Sequence, residues 1–247
     1  MDEYQRVNSD PCKVSCSRGF EWITEGWRLV KPRLGTQIAV TLLLVALEIA
    51  IGFVPLVGAL VSPFINALLI GGWLLLMRRA QLGEAVRAAD LLQIFSHRAV
   101  VPLITTTALY FGLTLASLLM ISIALGTGTE LFSLMAGEGA EGVTDDVLAG
   151  SLVTGLLLFS LTLLPIMAMY WFAIPLVLFS DTPPWMAMKQ SLSAVFINTL
   201  PMLAYGLVGF FMLFLASLPL MLGLLIALPV LIASWLISYE DIFASES

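Results

Sequence analysis

Charge is scarce in this chain: only 11% of its 247 residues are Asp, Glu, Lys or Arg, while 60% are apolar. Soluble domains carry about a quarter charged residues, so a soluble globule is excluded and the chain reads as an integral membrane protein. Histidine is represented only by His97, and cysteine only by Cys12 and Cys16. Two thiols spaced C-x3-C, far from the one imidazole, fall short of the four ligands of a structural zinc site. Neither a metal nor another cofactor is therefore expected, and the thiols read as reduced groups in a mobile tail. Residues 1–17 are polar and lack the apolar stretch of a signal peptide, so the first hydrophobic span is expected to stay as an anchor. The groupings that chemistry inside a membrane requires, such as paired carboxylates or a nucleophile beside its base, are not visible. Gly126 and Gly128 resemble a phosphate loop only faintly, and the acids around them would repel phosphate. The chain is read as a non-enzyme with no catalytic residues and no nucleic-acid partner.

What the chain has is long apolar runs. A helix needs about 20 apolar residues to cross the hydrocarbon layer, and six segments qualify: 36–54, 59–77, 99–125, 147–180, 199–217 and 220–238. The first two are separated by PLVG and the last two by SLP, which predicts tight antiparallel hairpins. The fourth is too long for one straight span, and Pro165 and Pro175 predict a kink or break. The fold class is all-α membrane, with one six-helix domain over 18–243 between a polar tail (1–17) and a short C-terminal tail (244–247).

All eleven Lys and Arg residues fall before span one, between spans two and three, or between spans four and five. The opposite connections have none, and the longest of them carries Glu130, Glu138, Glu141, Asp145 and Asp146. Basic residues are retained on the cytoplasmic side, so both termini are expected there and the acidic loop outside.

The stretch GFEWITEGWRLVKPRLG (19–35) places Phe20, Ile23, Trp27 and Val30 at helical spacing, with Glu21, Glu25, Arg28 and Lys31 on other faces. An amphipathic helix ended by Pro32 follows. It either lies on lipid, with Trp22 and Trp27 at headgroup level and Arg28, Lys31 and Arg33 on anionic lipid, or packs across the cytoplasmic ends of the bundle. Similar segments precede span three (LGEAVRAADLLQIFSHRAVVP) and span five (TPPWMAMKQSLSAVFINTLP). Three units of surface helix plus hairpin result, with Arg78, Arg79, Trp185 and Lys189 joining the interfacial set. The first and last units align further: Pro55 with Pro219, Gly58 with Gly223, and Pro63 with Pro229. Such repeats occur in transporters but also build other bundles.

A carboxylate within a span is costly and therefore a functional candidate. Glu48 in span one is the main case, and a hairpin centred near residue 57 sets Asn66 at its depth. A protonated Glu48 bonded to Asn66, a titrating proton or cation site, and a polar contact to a partner are the open readings. Thr105, Thr106 and Thr107 can bond their own helix backbone; His97 reads as interfacial; and Gly71, Gly72, Gly206 and Gly209 suit close helix approach. The closing SYEDIF is expected to fold back under the bundle, with Tyr239 at the interface and Glu240 or Asp241 meeting Arg78, Arg79 or Arg28.

The stretches RGFEWITEGWRLVKPRLG, DTPPWMAMKQSLSAVFINTLPML and PVLIASWLISYEDIF resemble a family of uncharacterised bacterial six-span inner-membrane proteins. The Gly-Phe-x-Trp-x2-Glu-Gly-Trp opening and the Ser-Tyr-x-Asp-Ile-Phe close are the most specific parts. More loosely, the chain is similar to the membrane domain attached to some glycerophosphodiester phosphodiesterases. The resemblance implies a multi-pass protein of the bacterial inner membrane and brings no reaction or catalytic residue; the two cysteines are not part of its pattern. The expected function is non-enzymatic, an envelope-organising protein that contacts the bilayer, other membrane proteins or a second copy of itself. The alternative is a small permease or lipid-handling protein using Glu48 as its ionisable site.

Overall fold

The computed structural model describes residues 10–54, 57–125 and 145–243. The described residues form helices: α1 Arg18–Val30, α2 Leu34–Gly52, α3 Val57–Gln81, α4 Val100–Leu125, α5 Asp145–Trp171, α6 Ala173–Ser180, α7 Pro184–Ile197, α8 Thr199–Ser217 and α9 Leu224–Ile242. Two 3-10 segments, Lys31–Arg33 and Ala88–Ser96, complete the set. Six helical stretches are long and apolar enough to cross a membrane. Glu130, Glu138 and Glu141 of the acidic connection and Pro55 of the repeat lie outside the described residues, while Asp145 and Asp146 open α5.

Each hairpin is preceded by one short element, as the three-unit reading expects. The second unit differs in detail, because its surface element is a 3-10 helix (Ala88–Ser96) rather than an amphipathic α-helix. The Asp90 carboxylate accepts from the Arg87 backbone N–H at 2.8 Å and fixes its start. This helix lies directly on α3, where Gly72 leaves room for the Leu91 carbonyl and for Ile94. Gly71 likewise faces the Leu103 side chain. A β-carbon at Gly72 would collide with backbone, so the glycine is what lets the two elements touch.

The long fourth span breaks as expected, one turn before Pro175, whose ring cannot donate to the Trp171 carbonyl and crowds it, and a side chain from elsewhere in the chain fills the gap. α5 runs through Pro165 and stops at Trp171; α6 resumes at Ala173 with Pro175 in its first turn. In an unbroken helix the Phe172 N–H would donate to the Ala168 carbonyl. Here the Ser191 hydroxyl of α7 stands between them, accepting from Phe172 N at 2.8 Å and donating to Ala168 O at 2.6 Å. A side chain inserted into the backbone ladder is a recognised cause of a kink. α7 reaches this depth because its buried face consists of Ala187, Met188, Ser191 and Ala194, three of them small.

The first and last hairpins repeat in three dimensions. A β-carbon on Gly58 would meet the Ile51 carbonyl, and one on Gly223 the Ala216 carbonyl, each seven residues earlier on the outgoing helix. Pro63 and Pro229 both lie inside the returning helices. The final turn is longer than SLP suggests: α9 begins at Leu224, and Leu220 and Met221 adopt positive φ.

Burial is concentrated at one end of the bundle. Leu69, Leu74, Met77, Leu103, Phe172, Leu176, Leu236 and Tyr239 are fully buried, whereas Phe53, Leu60, Met120, Ile123, Leu156 and Leu157 are exposed. Among the described residues, burial is therefore highest at the end that carries the arginines, while apolar side chains at the other end are exposed to lipid.

Candidate functional site at the basic end of the bundle

α1 is a fitted part of the bundle rather than a helix floating on lipid. It packs on α9 and α8, and two glycines two turns apart make the contact. Gly19 sits against Pro201, Ala204 and Tyr205, and a β-carbon on Gly26 would lie 2.8 Å from both the Ser234 nitrogen and the Val230 oxygen. Trp22, expected at headgroup level, is instead fully buried. Its indole packs edge-on to Tyr205 at 5.8 Å and its N–H donates to Asp241 at 3.0 Å. Of the two readings of the amphipathic stretch, packing across the bundle is the one the geometry adopts for this face. Phe20 and Trp27 remain exposed on the other.

Arg18 gathers the acids of this region. It donates to Asp241 at 2.7 Å, to Glu21 at 2.7 Å and to Glu25 at 2.9 Å. All four side chains are partly open to water, so the value of the cluster is positional more than energetic. The SYEDIF segment does fold back. Glu240 pairs with Arg78 at 3.7 Å and accepts from Gln81 at 2.9 Å, while Asp241 takes Arg18 in place of Arg78, Arg79 or Arg28. Tyr239 is fully buried rather than interfacial, and its hydroxyl bonds Ser180 at 2.7 Å. Arg78 also stacks on Phe179, 4.8 Å from the ring centre.

The polar tail is not free at its inner end. Asn198, fully buried where α7 meets α8, accepts from Val14 N at 2.8 Å and donates to the Cys12 carbonyl at 2.9 Å. The Cys12 N–H in turn donates to the Ile242 carbonyl at 2.7 Å. Residues 12–14 thus strap the start of the chain to its end, which corrects the expectation of a mobile tail there. Neither cysteine is in a disulfide; Cys16 is exposed and Cys12 half-buried.

The remaining expected interfacial residues divide into paired and open groups. Arg79 meets Glu84 at 2.7 Å and Asp90 at 3.7 Å, beside a cleft of about 250 Å³ that His97 also lines. The His97 Nδ1 accepts from Ala99 N at 3.2 Å, at the start of α4. Lys189 lies over the exposed Trp185 ring at 5.5 Å. Arg28 and Lys31 are exposed and Arg33 half-buried, and none of the three takes part in an ion pair among the described residues.

Within the spans, Glu48 does not pair with Asn66. It accepts from the Ser62 hydroxyl at 3.2 Å. The hairpin is therefore centred near residue 55, two residues before the expected point, and Asn66 lies deeper. The second oxygen of Glu48 is buried without a hydrogen-bond partner. Thr105, Thr106 and Thr107 bond the carbonyls of Val101, Pro102 and Leu103, and Thr107 also meets the Tyr170 hydroxyl at 3.1 Å. Two polar pairs were not foreseen. Buried Gln37 accepts from the Trp73 indole at 3.0 Å, and Tyr205 meets Ser234 at 3.0 Å. Both join residues far apart in sequence, one between the first two spans and the other between the last two. Gln37, a polar residue just inside span one, was the available signal for the first.

Fold and composition together define a multi-pass helical membrane protein whose ion pairs, among the described residues, are gathered at one end. The chain is 28% identical over 206 residues to a protein of Burkholderia thailandensis described as a probable inner membrane protein, a match that covers 80% of this chain and 74% of that one. No family profile and no solved structure matches the chain. It is accordingly a multi-pass inner-membrane protein in contact with the lipid bilayer.

Proposed function

We propose that the protein is a non-enzymatic organiser of the inner membrane that works through its basic end, which faces the cytoplasm together with both termini. The observation that carries the reading is the way this end is built. α1, the 3-10 helix and α7 are each seated on the bundle by a glycine or small-residue face, and the tail is tied to the α7–α8 junction by Asn198 and to the end of α9. Surface elements fixed in this way form a rigid face on which a partner can dock without ordering it first. The sequence resemblance to six-span bacterial inner-membrane proteins is consistent with this role.

A photoreactive amino acid placed at Phe20 or Trp185 in growing cells should give a discrete crosslinked product, and one at Phe53 at the opposite end should not. Identical smears from all three sites would contradict the proposal. The orientation is checked with Cys16: an impermeant maleimide should label it only after the membrane is opened, and labelling of intact spheroplasts would reverse the topology.

A second reading, a small permease or lipid-handling protein, is favoured by one observation, the unpartnered buried oxygen of Glu48. Glu48→Gln should then abolish a proton-coupled flux measured in proteoliposomes. Under the organiser reading the same variant behaves as the wild type.

A further inference from the structure

Beneath α1 the last hairpin leaves a groove of about 560 Å³, walled by Ile23 and Trp27 of α1, Met212 and Ala216 of α8, and Ile226 and Val230 of α9. Its volume falls within the roughly 300–1,000 Å³ of small-molecule sites. These walls are apolar, and the hydroxyl on the rim, that of Thr24, already donates to the Glu21 carbonyl at 2.8 Å. Arg28 also borders the groove.

The charges around it are unequal. Arg18 engages Glu21 and Glu25, while Arg28, Lys31 and Arg33 make no ion pair among the described residues, so residues 18–33 carry four cations against two acids. Arg28 and Lys31 are three residues apart and so neighbours along the chain's helical path. An apolar channel bordered by Arg28, with Lys31 and Arg33 next along the chain, has the complementary form of an amphiphile with an anionic head. We propose that the groove holds an acyl chain of an anionic phospholipid, whose phosphate rests on Arg28 and Lys31 with Trp27 at headgroup level. Basic pockets beside membrane helices suit such headgroups, because the phosphate is met by cations where water is partly excluded. A peptide segment of a partner protein is the competing occupant; its backbone polar groups would find no donors or acceptors along these walls. The proposal goes beyond the organiser reading, since lipid can fill the groove whether or not a protein docks on the basic end.

The full-length protein in nanodiscs is exposed to phosphatidylglycerol or phosphatidylcholine bearing the same photoreactive acyl chain, and labelled peptides are mapped by mass spectrometry. Phosphatidylglycerol should label the groove segments of α1, α8 and α9 at least about fivefold more than phosphatidylcholine, the preference one or two cations can provide. Arg28→Gln with Lys31→Gln should bring the two lipids near parity, and Ala216→Phe should lower groove labelling by both. The charge variant alters exposed side chains and so tests the headgroup site even if the bulkier change perturbs folding. Equal labelling in the wild type, a preference untouched by the charge variant, or unlabelled groove peptides covered instead by a protein crosslink would each overturn the proposal. Because the readout is lipid contact, failure of the organiser reading would leave this result unchanged.

Discussion

Substituting Gly26 with alanine tests the seating of α1 at its tightest point. The added carbon would lie 2.8 Å from the Ser234 nitrogen and from the Val230 carbonyl oxygen. Both are backbone atoms of α9 and cannot rotate away, so α1 must retreat, loosening Trp22 and the Arg18–Asp241 contact. Overpacking of this kind costs about 1–3 kcal/mol, while replacing glycine inside a helix returns about 1 kcal/mol. Gly206, inside α8, has nothing within 4 Å of the same position, so Gly206→Ala keeps the helix gain without the clash. The helix term cancels between the variants, leaving a gap of roughly 2 kcal/mol, or about 4–8 °C in unfolding temperature for a chain of this size. Thermal unfolding of both in identical nanodiscs, followed by tryptophan fluorescence, measures that gap. If the two variants melt together, α1 is not pressed against α9 and the packing argument fails.

Ser191→Ala should cost about 1–3 kcal/mol, because it strands the buried Phe172 N–H and the Ala168 carbonyl at the α5–α6 break; denaturation of the purified protein reads this, and an unchanged midpoint would show that the helix closes without the hydroxyl. Asn198→Ala should release the strap and raise the maleimide reactivity of Cys12 several-fold toward that of exposed Cys16, whereas equal rates before and after would show that the tail is held by other contacts. Ser62→Ala should lose about 0.6–2 kcal/mol of stability, the range of hydrogen bonds within membranes, while Glu48→Gln should be nearly neutral since its amide oxygen can still accept from Ser62. A large loss in Glu48→Gln would mean that the carboxyl group itself is required.

The spans, the three-unit plan and the return of the closing acids to an arginine, realised by Glu240 on Arg78, were legible because each rests on local hydrophobic runs or on charges sorted by side. The burial of Trp22 was not, since an amphipathic pattern is the same whether the apolar face meets lipid or protein. Gly19 and Gly26, two turns apart on that face, were the available signal: lipid contact gives no reason for glycine there, but close contact with α9 does. The partner of Glu48 was missed by one turn because a two-residue error in the hairpin centre doubles to four on the returning helix. Ser191 could not have been found from periodicity, because its targets lie 19 and 23 residues away across a helix break.

The most direct test of the central claim, that α1 is a fixed part of the basic end, is a double-mutant cycle between Arg18 and Asp241, 2.7 Å apart and about three-quarters buried. Arg18→Gln, Asp241→Asn and the double variant are compared by unfolding in nanodiscs. The structure predicts a coupling of about 1 kcal/mol, reduced from the strength of a buried charged hydrogen bond by partial exposure. Strictly additive effects would mean that the two residues do not meet in the membrane, and that α1 lies on the lipid surface instead.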